Sequence, residues 1–139
     1  MIQLPDLPTT RILAKRLASA VWSGKTLYLQ GDLGAGKTTF VQAFLRALGY
    51  VGHVKSPTYT LLETYVLPKL TVHHFDLYRI DDPEELEWLD MRACYTKEAL
   101  VIVEWPEKGQ GFLPQPDVTL QFAYQEMKRS VTMMPSLIS

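Results

Sequence analysis

The chain has 139 residues, 47% of them hydrophobic and 21% charged, with a formal net charge of −1; this predicts one domain spanning residues 1–139 with a buried core. The charge excludes the overall basic surface that would by itself announce nucleic-acid binding, so any RNA role would run through a partner or a local patch. A single cysteine, Cys94, excludes an internal disulfide; an amino terminus without basic-then-apolar order makes the cytoplasm the default, and no apolar run approaches the roughly 20 residues of a membrane span.

In chain order, residues 1–4 are predicted as a short edge strand before Pro5 and Pro8. Thr9 or Thr10 is expected to cap a helix running to about Trp22, with Ile12, Leu13, Leu17, Ala20 and Val21 on one face and Arg11, Lys15 and Arg16 on a solvated one. Residues 26–30 read as a buried strand, and residues 38–48 as a helix that stops at Gly49.

Between strand and helix stands Gly31-Asp32-Leu33-Gly34-Ala35-Gly36-Lys37-Thr38, which matches the phosphate-binding pattern G-x-x-x-x-G-K-[ST] at every fixed position. Average residue usage gives that pattern by chance about once in 200 chains of this length, and the strand-loop-helix context narrows it further. Glycines let the backbone curl with its N–H groups inward, and the helix start adds its positive dipole end. Lys37 is placed to reach the β- and γ-phosphates, and Thr38 to offer a hydroxyl to a bridging Mg²⁺.

Residues 59–65 and 70–76 are rich in β-branched, aromatic and leucine residues and are separated by only Val66-Leu67-Pro68-Lys69, which predicts an antiparallel hairpin and argues against a purely parallel sheet. Asp82-Pro83-Glu84-Glu85 is a helix start, with Leu86 and Leu89 as apolar anchors. Residues 99–103 form the most apolar run, a central strand ending at Glu104; residues 117–124 alternate, with Val118, Leu120 and Phe122 facing one way, and residues 131–134 are placed to pair with them. Met127, Met133 and Met134 are read as core filler or a loose terminus. The fold class expected is α/β, a three-layer P-loop NTPase fold with a mixed parallel and antiparallel central sheet, the loop at the carboxyl end of strand 26–30.

A P-loop enzyme also needs an acid at a strand end, to hold the metal or orient water. Glu104 ends Leu100-Val101-Ile102-Val103 in the manner of a Walker B strand, and Asp76 ends the less apolar Leu70-Thr71-Val72-His73-His74-Phe75. Lys55-Ser56-Pro57-Thr58 lies where nucleotide-sensing loops follow the first helix, so Ser56 or Thr58 is a candidate for the γ-phosphate or its Mg²⁺, against the alternative of an ordinary Ser-Pro turn. Adjacent on a strand, His73 and His74 must face opposite sides and cannot jointly chelate a metal; one is expected in the core and one at the surface. Cys94 reads as a buried or inert thiol and not as a nucleophile. Ten of the fifteen acids lie between Asp76 and Glu107, either a solvated surface or an acidic face for a basic partner.

Together Gly31-Asp32-Leu33-Gly34-Ala35-Gly36-Lys37-Thr38-Thr39, Lys55-Ser56-Pro57-Thr58-Tyr59-Thr60-Leu61, His74-Phe75-Asp76-Leu77-Tyr78-Arg79, Asp82-Pro83-Glu84-Glu85-Leu86 and Val103-Glu104-Trp105-Pro106 resemble the TsaE (YjeE) family of P-loop ATPases of bacterial tRNA threonylcarbamoyladenosine biosynthesis, in order and spacing. The resemblance covers residues 10–124. It implies an ATPase working with TsaB and TsaD, which install threonylcarbamoyl on adenosine 37 of tRNAs reading codons that start with A, with tRNA met indirectly through the complex. It further implies ATP contacts from Leu33, Gly34, Ala35, Gly36, Lys37, Thr38 and Thr39, Mg²⁺ on Thr38 and Glu104, and a catalytic or sensing role for Asp76 beside Lys37. Ser56 and Thr58 resemble the family's switch residues, Trp105 its tryptophan beside the nucleotide, Thr10 its amino-terminal contact near the base, and Arg129 a further nucleotide contact.

Three rivals were weighed on the same residues. A GTPase would read guanine through Asn-Lys-x-Asp, and the chain contains no asparagine. A small-molecule kinase needs an acceptor pocket and an arginine-bearing lid, yet six arginines are scattered and no lid-length insertion occurs. A nucleotide-dependent regulatory subunit with little turnover overlaps the family reading.

Overall fold

The structure, a computed structural model, describes residues 1–88 and 91–135. Its centre is the run predicted from apolarity alone: strand β5 (Ala99–Glu104) is buried at all six positions and lies between two parallel neighbours, β2 (Thr26–Gln30) and β4 (Thr71–Asp76). A strand covered on both faces has no polar side to show, which is why its sequence does not alternate. On one side the sheet continues through β4 to the antiparallel β3 (Leu62–Val66); on the other it runs from β2 to parallel β6 (Val118–Gln125), antiparallel β7 (Lys128–Met134) and the edge strand β1 (Ile2–Gln3). The order is β1-β7-β6-β2-β5-β4-β3; the sheet has seven strands and is mixed, as expected.

Helices α1 (Leu7–Ala18) and α2 (Lys37–Ala47) cover one face. On α2, Phe40, Val41, Phe44 and Leu45 are fully buried, the i, i+1, i+4, i+5 stripe of an amphipathic helix. Phe40 stacks on Phe44 at 5.3 Å and meets Phe122 of β6 at 5.7 Å, while Trp22 packs edge-on to Phe44. Truncating Phe40 to alanine there would cost about 3–5 kcal/mol. The opposite face is thinner, built from α3 (Glu85–Trp88), the 3-10 turn Met91–Cys94 and the segment after β4, with Phe75, Leu77, Ile80, Leu86, Met91, Cys94, Val101 and Val103 in a second core.

Several expected details are corrected. Helix α1 begins before Pro8, since proline's missing N–H is not needed in a first turn; its cap is therefore Asp6, which accepts from the Thr9 N–H at 2.9 Å, and neither Thr9 nor Thr10. The helix ends at Ala18, where the Trp22 indole N–H takes up the Leu17 carbonyl at 2.7 Å, and not near Trp22 itself. Its buried stripe is Thr10, Leu13, Ala14 and Leu17, with Ile12 and Val21 exposed. The hairpin forms, but its first strand starts at Leu62 because a turn occupies residues 57–60 and Leu61 has φ 66°. Met127 is exposed, Met134 half-exposed and Met133 buried, so that group divides between the readings. Leu86 is buried as expected, and Leu89 lies outside the described residues. Among the described residues no helix is long and apolar enough to cross a membrane.

Candidate functional site

Three neighbouring parallel strands, β2, β5 and β4, end at one edge of the sheet, and each delivers one component there. From β2 the chain enters the glycine loop and then α2, whose N-cap Gly36 is left-handed (φ 112°) and makes no side-chain capping bond. The first-turn N–H groups of α2 therefore face outward without a protein cap, the arrangement that receives an oxyanion. From β5 and β4 come Glu104 and Asp76, directly paired in the strand register. Period two puts Val72, His74 and Asp76 on one face of β4, and Leu100, Ile102 and Glu104 on the matching face of β5. Val72, Leu100 and Ile102 belong to the core under α1 and α2, so both acids project on the side of the glycine loop.

A cavity of about 530 Å³ collects these groups. Its walls include Thr10, Leu33, Gly34, Gly36, Lys37, Thr38, Thr39, Thr58, Asp76, Glu104, Trp105 and Arg129, twelve of the expected site residues in one place. Ala35 and Ser56 do not line it. Ala35 is fully buried beneath the loop, and the exposed Ser56 reaches the site only through its hydroxyl contact with Thr58 Oγ1 at 2.8 Å. Leu4, Pro5, Asp6 and Leu7 also line the cavity and were missed. The signal for them was the edge strand itself: with β1 pinned to β7, residues 4–7 must cross the sheet edge on their way to α1.

Lys37 is 5% exposed; its Nζ donates to the Gly31 carbonyl and sits 3.9 Å from the centroid of the Trp105 ring. Burial pushes its ammonium below the ordinary lysine value, opposed by the charges of Glu104 and Asp76. Trp105 has a left-handed backbone (φ 58°) ahead of the 3-10 turn Pro106–Gly109, a strained conformation for a large residue and one that sets its ring over Lys37. Arg129 Nε donates to the Gly34 carbonyl at 3.0 Å, which ties β7 to the loop.

The acids are held differently. Asp76 accepts from the Tyr78 N–H at 3.1 Å and from the Thr58 hydroxyl at 3.3 Å. Burial first, and the neighbouring Glu104 charge second, push its carboxyl above the ordinary aspartate value. Glu104 Oε2 lies 2.6 Å from His74 Nε2, both side chains being buried, and this is the one contact within 4.0 Å between a basic and an acidic side chain among the described residues. The two histidines face opposite sides of β4 as expected, but only the core half of the split is met in full: His74 is buried, while His73 is half-buried and bonds Thr64 Oγ1 at 2.9 Å.

Among the described residues no three His, Cys, Asp or Glu side chains are arranged to hold a metal by themselves. The Thr38 hydroxyl with one carboxylate is the partial oxygen set that suits Mg²⁺ when phosphate oxygens and water complete the shell.

The sequence model of the family described as "Threonylcarbamoyl adenosine biosynthesis protein TsaE" matches residues 4–131. The chain belongs to the TsaE family. Curated TsaE relatives, each named "tRNA threonylcarbamoyladenosine biosynthesis protein TsaE", include one from Haemophilus influenzae, 45% identical over 78% of this chain and 68% of its own, and one from Synechocystis sp., 40% identical over 81% and 71%. The crystal structure of YdiB from Bacillus subtilis superposes with a TM-score of 0.74 at 27% identity, covering 94% of this chain and 81% of that one. The TsaE match spans every element that builds the cavity, from Leu4 through the loop and both acids to Arg129.

Proposed function

We propose that this TsaE-family chain is a cytoplasmic, Mg²⁺-dependent ATP hydrolase, weak alone, that works with TsaB and TsaD in placing threonylcarbamoyl on adenosine 37 of tRNAs reading codons that start with A. The observation that carries the hydrolase reading is the meeting, in one cavity, of an uncapped α2 N-terminus, the Lys37 cation, the Thr38 hydroxyl and the Asp76–Glu104 pair. The loop N–H groups and Lys37 bind the phosphates, for which Lys37 exchanges the Gly31 carbonyl for phosphate oxygen. Thr38 and Glu104 are the residues that would hold Mg²⁺, which when bound neutralises charge across the β- and γ-phosphates. Asp76, with its raised carboxyl, orients water or senses the γ-phosphate. Trp105, Thr10, Leu33 and Arg129 flank the rest of the nucleotide.

One observation favours a regulatory contribution as well. Ser56, Thr58 and Asp76 form a hydrogen-bonded chain from an exposed loop into the cavity, a link through which nucleotide state would reach the surface, as a role for hydrolysis in assembly or reset of the complex requires.

The test is stepwise: ATP hydrolysis and threonylcarbamoyl-tRNA formation are measured with this protein alone, with a TsaB–TsaD pair, and with tRNA added. Hydrolysis should be slow alone and rise with the partners, and GTP should compete poorly for the site. Tighter binding of GTP, or tRNA modification that proceeds equally well without this chain, would reject the proposal.

A further inference from the structure

We infer that His74 is a positioning residue for the metal-binding carboxylate of Glu104: its Nε2–H holds one carboxylate oxygen, so that the other faces Mg²⁺ and the Thr38 hydroxyl. This rests on the proposed reading of Glu104 as the metal acid.

The geometry comes from sheet register. His74 pairs with Ile102 and Asp76 with Glu104, so the imidazole lies on the same face as both acids and two residues behind them. It reaches forward to Glu104 Oε2 at 2.6 Å, with side-chain exposures of 3% and 5%. The contact is short enough to fix the carboxylate rotamer. His74 Nδ1 is buried with no hydrogen-bond partner. The contact with Glu104 is therefore the one hydrogen bond the ring makes among the described residues, and the ring also acts electrostatically on Asp76. Because an ionised carboxylate oxygen can only accept, Nε2–H is the donor in this contact.

A buried histidine whose sole hydrogen bond is to a carboxylate facing a cavity is poorly explained by packing. Leucine would fill its place among Val72, Leu100 and Ile102 without leaving a buried nitrogen unpaired. Ligating carboxylates are themselves hydrogen-bonded, and loss of such support weakens metal affinity about 10- to 100-fold.

The test compares His74→Gln, whose amide N–H₂ reaches the Nε2 position, with His74→Asn, which is polar but too short. ADP binding to each folded variant, checked by thermal unfolding, is measured by calorimetry in EDTA and in Mg²⁺; the ratio of the two affinities isolates the metal. Asn should lower that ratio about tenfold or more while leaving binding in EDTA unchanged, and Gln should restore it. An undiminished ratio in the Asn variant, or Asn and Gln impaired alike, would overturn the inference. Glu104→Gln is the reference. If it abolishes the Mg²⁺ effect while Asn does not, only His74 is misassigned; if it too leaves the effect intact, the reading of Glu104 fails and carries this inference down with it.

Discussion

Replacing Gly31 with alanine should cost more stability than the same change at Gly34, and the difference measures how tightly the loop entrance is built against the sheet. A Cβ at Gly31 would lie 2.5 Å from the Phe122 carbonyl oxygen, 3.0 Å from Phe122 Cβ and 3.2 Å from its carbonyl carbon, on a backbone at φ +137°. The backbone conformation alone costs a side chain about 1–3 kcal/mol. The clash adds about 1–3 kcal/mol, because its partner is main chain of β6, paired to β2 on one side and β7 on the other, and has no rotamer to change. Gly34 has φ +81° and no heavy atom within 4 Å of a built Cβ, so its alanine variant carries the conformational cost of about 1–2 kcal/mol and no clash. Against a total stability of about 5–15 kcal/mol, Gly31→Ala should shift the guanidinium unfolding midpoint clearly further than Gly34→Ala at similar slope. Coincident midpoints would refute the argument that close approach to β6 is what demands glycine there.

Lys37→Ala should leave the fold intact and weaken ATP binding by about 1.5–3 kcal/mol, roughly 10- to 150-fold, since one charge-assisted set of phosphate bonds is lost; calorimetry showing wild-type affinity would contradict it. Asp76→Asn should stabilise the nucleotide-free protein near neutral pH. The folded state holds this proton more tightly than the unfolded chain does, so the resulting stability is complete below the unfolded value of 3.8 and is lost as pH rises through the higher folded value. The ionised group thus costs stability at pH 7, and the asparagine variant should melt higher there, with the gap closing as pH falls towards that value. A gap that is absent at pH 7, or that widens on acidification, would show that Asp76 is not strained by burial and by Glu104.

What was legible in the sequence divides by the range of the interaction. The glycine loop, β5 and the hairpin are written in local chemistry: fixed residue spacing, an unbroken apolar run, and a joint too short for a crossover. Both candidate acids are marked by their places at strand ends, and parallel strands ending at one edge bring Asp76 beside Glu104. The α1 start is hard to place from sequence because three capping side chains, Asp6, Thr9 and Thr10, compete within five residues, and the choice of Asp6 depends on Pro8 being harmless in a first turn. The bond between His74 and Glu104 had no local sign at all: the two lie thirty residues apart and meet only through the parallel register of β4 and β5. The edge strand at residues 1–4 is legible, but residues 4–7 become cavity wall only through the pairing of β1 with β7, which fixes their path.

That register also gives the two acids different mechanical settings. Glu104 is carried by a strand buried along its whole length, and its carboxylate is fixed by a 2.6 Å contact from behind. Asp76 sits where β4 meets the turn before β3: its N–H donates to the Leu61 carbonyl at 3.0 Å, the Leu61 N–H donates to the Pro57 carbonyl at 2.8 Å, and Thr58 reaches back to its Oδ2. The Thr58 contact, at 3.3 Å, is long for an O–H···O bond and is the weakest hold on the carboxylate. A group in the cavity that competes for Asp76 Oδ2 therefore releases Thr58 at small cost, and with it the Ser56 hydroxyl bonded to Thr58. The same competitor gains nothing comparable at Glu104, whose partner lies inside the sheet. One carboxylate is thus built to stay where it is, while the other is wired to an exposed loop through its most easily exchanged hydrogen bond.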